Sequence, residues 1–142
     1  MKNLFLLASG LMLIFLSGCE NNDLLLSEKK LNSKIQKTWK IVSPSPIIDA
    51  HENWNFSNGS LAINFQKNGV DTTVVGSYSI DAKMTKAYVT LSSFYYNNQV
   101  ASHWTAKELN RKWTIVELDN GIMYLSGVDD NGVIRSMEFV EK

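Results

Sequence analysis

From residue 38 to the C-terminus the chain alternates apolar and polar side chains, the period of a strand with one buried face. The first such run is Thr38 to Val42. Trp54-Asn55-Phe56 follows, and then Leu61, Ile63 and Phe65 alternate with Ala62, Asn64 and Gln66. Val70, Thr72, Val74, Gly76, Tyr78 and Ile80 share one face of the next run. Further runs cover Tyr88 to Phe94, Trp113 to Leu118, Ile122 to Val128 and Val133 to Val140. Ahead of them, Leu24 to Gln36 has a helical period. Leu31 and Ile35 form an i, i+4 apolar pair, Ser27 is placed to cap, and Lys29, Lys30, Lys34 and Lys37 solvate the other side. The segment from Phe94 to Arg111 reads two ways. Tyr95-Tyr96-Asn97-Asn98 suits a turn with exposed aromatics, a strand is expected over Val100 to Ala106, and Ala106 to Leu109 would favour a short helix instead.

The connections are as informative as the runs. Asn58-Gly59, Asn68-Gly69, Asn120-Gly121 and Asn131-Gly132 each lie between two alternating stretches. Asn-Gly tolerates the positive φ of the tight turns whose twist matches flanking strands, so each is a hairpin signal. Pro44 and Pro46 sit together after the first run, where neither interrupts a ladder. An antiparallel meander with almost no helix must curl on itself to bury its apolar face. The expected fold is therefore all-β, a barrel of about eight strands behind a short N-terminal helix, over residues 24–142. Its interior would carry Ile63, Phe65, Val74, Tyr78, Val89, Leu91, Ile115, Tyr124 and Met137. A barrel of this size is just wide enough to be filled by side chains or to hold one small ligand, and that set serves either purpose.

The first residues follow another pattern. Lys2 precedes an apolar stretch from Leu4 to Leu16, and the small residues Ser17 and Gly18 precede Cys19. A run of about a dozen apolar residues is too short to span a membrane and has the parts of a secretory signal, so residues 1–18 are expected to be removed. Glu20-Asn21-Asn22-Asp23 then makes a polar spacer.

Charge and cysteine content narrow the function classes. The chain has 14 basic and 14 acidic side chains, with no clustered basic face for a nucleic acid. A single cysteine rules out an internal disulfide framework. His51 lies near Asp49 and Glu52, and His103 precedes Trp104, but neither cluster has the three or four ligands of a metal site. No nucleophile elbow or phosphate loop is present, and Asp129-Asp130, just before Asn131-Gly132, read as turn formers. No catalytic residue, metal or cofactor is expected.

Leu16-Ser17-Gly18-Cys19 resembles the lipobox of bacterial lipoproteins. That resemblance implies lipidation of Cys19, which becomes the new N-terminus and anchors the protein to the outer membrane; two or more chains hold stably. The acidic residues after Cys19 resemble the surface-export signal of Bacteroidetes-type lipoproteins, which places the cell-surface side ahead of the periplasmic side. The remainder resembles the lipocalin-like domains of such lipoproteins, on Lys37-Thr38-Trp39-Lys40, Trp54-Asn55-Phe56, Gly76-Ser77-Tyr78-Ser79-Ile80 and Trp113-Thr114-Ile115. In lipocalins an arginine from the last strand packs over a first-strand tryptophan and closes one end. The resemblance implies those roles for Arg135 and Trp39, although Lys37 stands where a glycine belongs.

Two functions follow as expectations. In the first, the barrel binds a small apolar or amphipathic ligand, with Trp54, Phe65, Tyr78, Tyr95, Tyr96, Trp104 and Tyr124 as candidate contacts. It requires a cavity of a few hundred Å³ lined by aromatics. In the second, an envelope accessory protein binds a protein or glycan through an exposed cluster of Trp54, Tyr95, Tyr96 and Trp104, or through a bare sheet edge.

Overall fold

A computed structural model describes residues 27–43, 51–95, 100–101 and 104–142. The signal and Cys19, the prolines 44 and 46, Asp49, Tyr96 and His103 lie outside the described residues. Eight antiparallel strands form a closed barrel in sequence order: β1 Thr38–Ser43, β2 Asn53–Ser57, β3 Ser60–Lys67, β4 Val70–Lys83, β5 Lys86–Ser92, β6 Lys112–Asp119, β7 Ile122–Val128 and β8 Ile134–Glu141. β8 pairs back onto β1, with Phe139 opposite Ile41 and Glu141 opposite Trp39. Helix α1, Glu28–Ile35, precedes the barrel, and a second short helix α2, Ala106–Leu109, sits between β5 and β6.

Three of the four Asn-Gly pairs make the expected two-residue turns. Asn58 and Gly59 have φ of 49° and 81°, Asn68 and Gly69 have 55° and 78°, and Asn120 and Gly121 have 50° and 76°. Positive φ at both central residues is the type I′ turn, whose twist suits the strands it joins. Asn131-Gly132 differs, because only Gly132 has positive φ. There the Asp129 carboxylate organises the loop, accepting from the N–H groups of Asn131 and Val133 at 2.9 Å each.

Strict neighbour order fixes the two ends. Odd-numbered strands run away from α1 and even-numbered strands run back, so α1, which leads into β1, covers one end. This is the proximal end; α2, which leads into β6, covers the distal end. The two caps are built alike. Trp39 Nε1 donates to the carbonyl of Ile35 at 2.9 Å, and Trp113 Nε1 donates to that of Leu109 at 3.2 Å. Each helix ends in the same tight turn, with Gln36 at φ −70°, ψ 74° and Asn110 at φ −66°, ψ 73°. Ile35-Gln36-Lys37-Thr38-Trp39 and Leu109-Asn110-Arg111-Lys112-Trp113 thus perform one job at opposite ends: a helix stops and drops an indole from the next strand beneath itself.

The described residues of the expected strand Val100 to Ala106 (100–101 and 104–106) lie in no strand. α2 starts instead at Ala106, because Thr105 and Glu108 make a reciprocal capping box. The Thr105 hydroxyl accepts from the Glu108 N–H at 3.4 Å, and the Glu108 carboxylate accepts from the Thr105 N–H at 2.8 Å. Such a pair satisfies two of the donors a helix start leaves unpaired.

The core is continuous from cap to cap. Trp39, Trp54, Phe56, Phe65, Trp113 and Phe139 are its largest buried side chains, all at 2% exposure or less. Their rings meet one another. Trp54 contacts Phe139 edge-on at 5.1 Å between centroids, Phe56 meets Tyr78 at 5.1 Å, and Trp104 meets Trp113 at 5.6 Å. Such pairs contribute about 0.5–1.5 kcal/mol each beyond the area they bury.

Candidate functional site

The residues expected to line a ligand cavity are mostly packing. Trp54 and Phe65 are fully buried, and Tyr78 and Trp104 are each 5% exposed. Trp54 Nε1 donates to Glu52 at 2.6 Å, and Glu52 is the one buried charged side chain among the described residues. Tyr78 sends its hydroxyl to Asn32 of α1 at 3.1 Å and borders an open cleft of about 390 Å³ beside that helix. Another cleft, of about 300 Å³, lies between α1 and the β5–β6 seam over Leu31, Ala87, Ile115 and Leu118. It contains none of the candidate aromatics.

Two orientations depart from expectation. Tyr124 does not point inward; its neighbours Met123 and Leu125 are buried and Tyr124 is half-exposed on the outer face. Ile122 to Leu125 are all apolar, so alternation alone does not choose the phase of β7. The register with β6 chooses it, including a bulge between Ile115 and Glu117 that pairs Tyr124 with Glu117 and Met123 with Leu118. Arg135 does not reach Trp39. It pairs opposite Gly127, six residues along β8 from the Trp39 partner Glu141, or about 20 Å at the strand rise. Its Nε donates to Asp129 at 3.1 Å at the distal end instead. Trp39 is covered by α1, which Lys34 ties to Asp119 at 2.9 Å and Lys37 ties to Glu141 at 2.6 Å. A guanidinium does lie over an indole, but the pair is Arg111 and Trp113, at 5.9 Å.

The expected exposed aromatic cluster does not form among the described residues. Trp54 and Trp104 are inside, and Tyr95 is 79% exposed. No group of three His, Cys, Asp or Glu side chains converges among the described residues, and His51 is exposed. Electrostatic perturbation is confined to surface carboxylates. A hydrogen bond from Lys112 lowers the Asp81 carboxyl below the usual range, and one from Lys34 does the same for Asp119. The Val133 N–H leads the lowering at Asp129, supported by Asn131 and Arg135. These are ties between elements, not a pair of carboxyls pushed apart for acid–base work.

One feature of the outer surface has no counterpart in the expected pocket. The first half of β4 projects past the barrel's distal rim, paired with β3 alone, with Val70 65% and Val75 55% exposed. Compared with protein-family models, curated proteins and solved structures, the chain matches none. The protein is a small, closed, all-antiparallel eight-stranded β-barrel with a core of packed aromatic and aliphatic side chains, a binding-type scaffold capped by a helix at each end.

Proposed function

We propose that this protein is a lipid-anchored, non-catalytic module of the bacterial envelope that meets a macromolecular partner through its outer surface. The observation that carries this reading is the packed interior. The aromatics that would line a ligand cavity instead contact one another, and α1 and α2 close both ends. The sequence supports the anchor through the apolar run before Ser17-Gly18-Cys19. A lipocalin-like ancestry remains consistent with the strand order, while the first-strand tryptophan is covered by a helix where lipocalins use an arginine.

The membrane partner is then the outer membrane, through lipid on Cys19, with the domain on the cell-surface side. A small apolar ligand inside the barrel is disfavoured by the packing. The test is fractionation of cells carrying Cys19→Ser. The substituted protein takes up no labelled palmitate and leaves the outer-membrane fraction, whereas the parent floats with membranes and takes up the label. Outer-membrane retention of Cys19→Ser would refute the anchor.

A further inference from the structure

β4 is 14 residues long, and its two strand neighbours divide it, each pairing with one half. It pairs with β3 from Val70 to Ser77 and with β5 from Ser77 to Lys83. Residues 70–76 therefore have a strand on one side only among the described residues. Hairpin geometry says which groups face the open side. Asn68-Gly69 is a two-residue turn, so the flanking pair Lys67 and Val70 exchanges both hydrogen bonds, as do the alternate residues Thr72, Val74 and Gly76 with their β3 partners. Asp71, Thr73 and Val75 accordingly direct N–H and C=O away from β3. The β4–β5 hairpin gives the same parity independently: Lys83 faces Lys86 across a two-residue turn, and counting back in twos reaches Ser77, opposite Ser92. No described backbone or side-chain group bonds the main chain of Asp71, Thr73 or Val75.

We propose that this open edge, Asp71 to Val75, is a docking site for an extended, cation-bearing peptide segment of a partner protein, which adds to the sheet as a further strand. The proposal rests on the reading that the outer surface meets a macromolecule, and it supplies the place and the mode. Natural sheet edges are blunted by lysine, proline or a bulge. Val70-Asp71-Thr72-Thr73-Val74-Val75-Gly76 has neither residue, and its register with β3 is unbroken. Five of its seven positions are Val or Thr, a composition suited to strand pairing. The edge also stands at the distal end, opposite α1, through which the chain leading from Cys19 enters the barrel.

Charge chooses the occupant. Asp71 is the one charged residue of the segment, accepts a hydrogen bond from Gln66 at 3.1 Å, and has no cation partner among the described ion pairs. A second copy of this chain would pair antiparallel about Thr73 and set each Asp71 against a Val75. That covers two unpaired carboxylates with apolar side chains, over a contact far shorter than the ~1,000 Å² a stable dimer needs. A foreign strand can bring lysine or arginine to Asp71 and β-branched residues to the rest, the usual mode of strand addition.

The test uses the mature chain in detergent and a blocked synthetic heptapeptide, Lys-Val-Thr-Val-Thr-Val-Lys, read by backbone amide hydrogen exchange and titration. In the free chain the amides of Asp71, Thr73 and Val75 exchange at least tenfold faster than those of Thr72 and Val74. Saturating peptide slows the three edge amides at least tenfold. Thr73→Pro, which removes the outward N–H along with the hydroxyl that donates to Asn64 at 2.7 Å, and Val75→Lys, which leaves the backbone intact, each weaken the peptide at least tenfold, while Thr73→Ala, which loses the hydroxyl alone, and Val128→Lys on another exposed face leave binding unchanged. Edge amides already protected in the free chain would overturn the proposal, because the chain then covers its own edge. Protection that grows with protein concentration would overturn it in favour of a second copy. Binding indifferent to Thr73→Pro and Val75→Lys would overturn it as well, and loss of the edge site leaves intact the broader reading of a partner on some other face.

Discussion

Gly76 is the position where the sequence is most tightly bound to the packing of the distal end. A Cβ built there would lie 2.5 Å from Cζ, 2.6 Å from Cε1 and 2.8 Å from Cε2 of Phe94. Carbon atoms prefer about 3.5–4.0 Å, so Gly76→Ala forces the ring to retreat by about 1 Å. It has little room. Phe94 is 3% exposed, and Asn110 pins its backbone on both sides, accepting from the Phe94 N–H at 3.1 Å and donating to its carbonyl at 2.8 Å. The φ of Gly76 lies outside the left-handed region, so the cost is steric and not a backbone penalty. Overpacking of this kind costs about 1–3 kcal/mol. Phe94→Ala alone leaves a cavity and costs about 3–5 kcal/mol. In the double variant the new methyl has space, so the combined loss falls short of the sum by at least ~1 kcal/mol. Urea denaturation of the four proteins, with slopes compared to confirm two-state behaviour, measures this cycle. Additive losses, or a Gly76→Ala protein as stable as the parent, would refute the claim that Phe94 plugs the rim against that glycine.

Other consequences follow from the caps and the charged ties. Trp39→Phe and Trp113→Phe each lose indole volume and one of the two hydrogen bonds that a helix-end carbonyl accepts, at about 1–3 kcal/mol, and the two losses agree within ~1 kcal/mol in urea denaturation because the caps are built alike. Thr105→Ala removes the capping box and costs about 1 kcal/mol, with faster amide exchange confined to residues 105–111. Asp129 is depressed in the folded state, so its contribution is present above its unfolded value of about 3.9 and is lost as pH falls through the lower folded value. Thermal melts of Asp129→Asn are therefore lower than the parent at neutral pH and converge with it as pH drops below about 4. A gap that widens on acidification would contradict the assignment.

The barrel was legible because its cues are local. Apolar alternation marked the strands, and three Asn-Gly pairs supplied turns whose positive φ few other residues tolerate. The phase of β7 was not legible: Ile122-Met123-Tyr124-Leu125 offers an apolar residue to both faces, and the inward pair is chosen by β6, a bulge away. Arg135 has the inward parity expected of it, but parity says nothing about height, and at the top of β8 it meets Asp129 before it could meet an indole. Helix α2 was legible only as the alternative to a strand, although Thr105-x-x-Glu108 is a capping-box signature, because a run that ends in Ala106 fits a strand as well. The likeness of Ile35-Gln36-Lys37-Thr38-Trp39 to Leu109-Asn110-Arg111-Lys112-Trp113 was on the page too, and it marks both ends of the barrel. The open edge of β4 is the least legible feature, since it depends on β3 and β5 pairing with different halves of one strand.

Whether the interior is full decides between an internal ligand and an external partner. Native mass spectrometry of the mature protein, extracted from its own envelope, measures this directly. The account predicts a mass equal to the lipidated chain, with no small molecule retained by the barrel. A stoichiometric non-covalent ligand that survives removal of the lipidated N-terminus would contradict it.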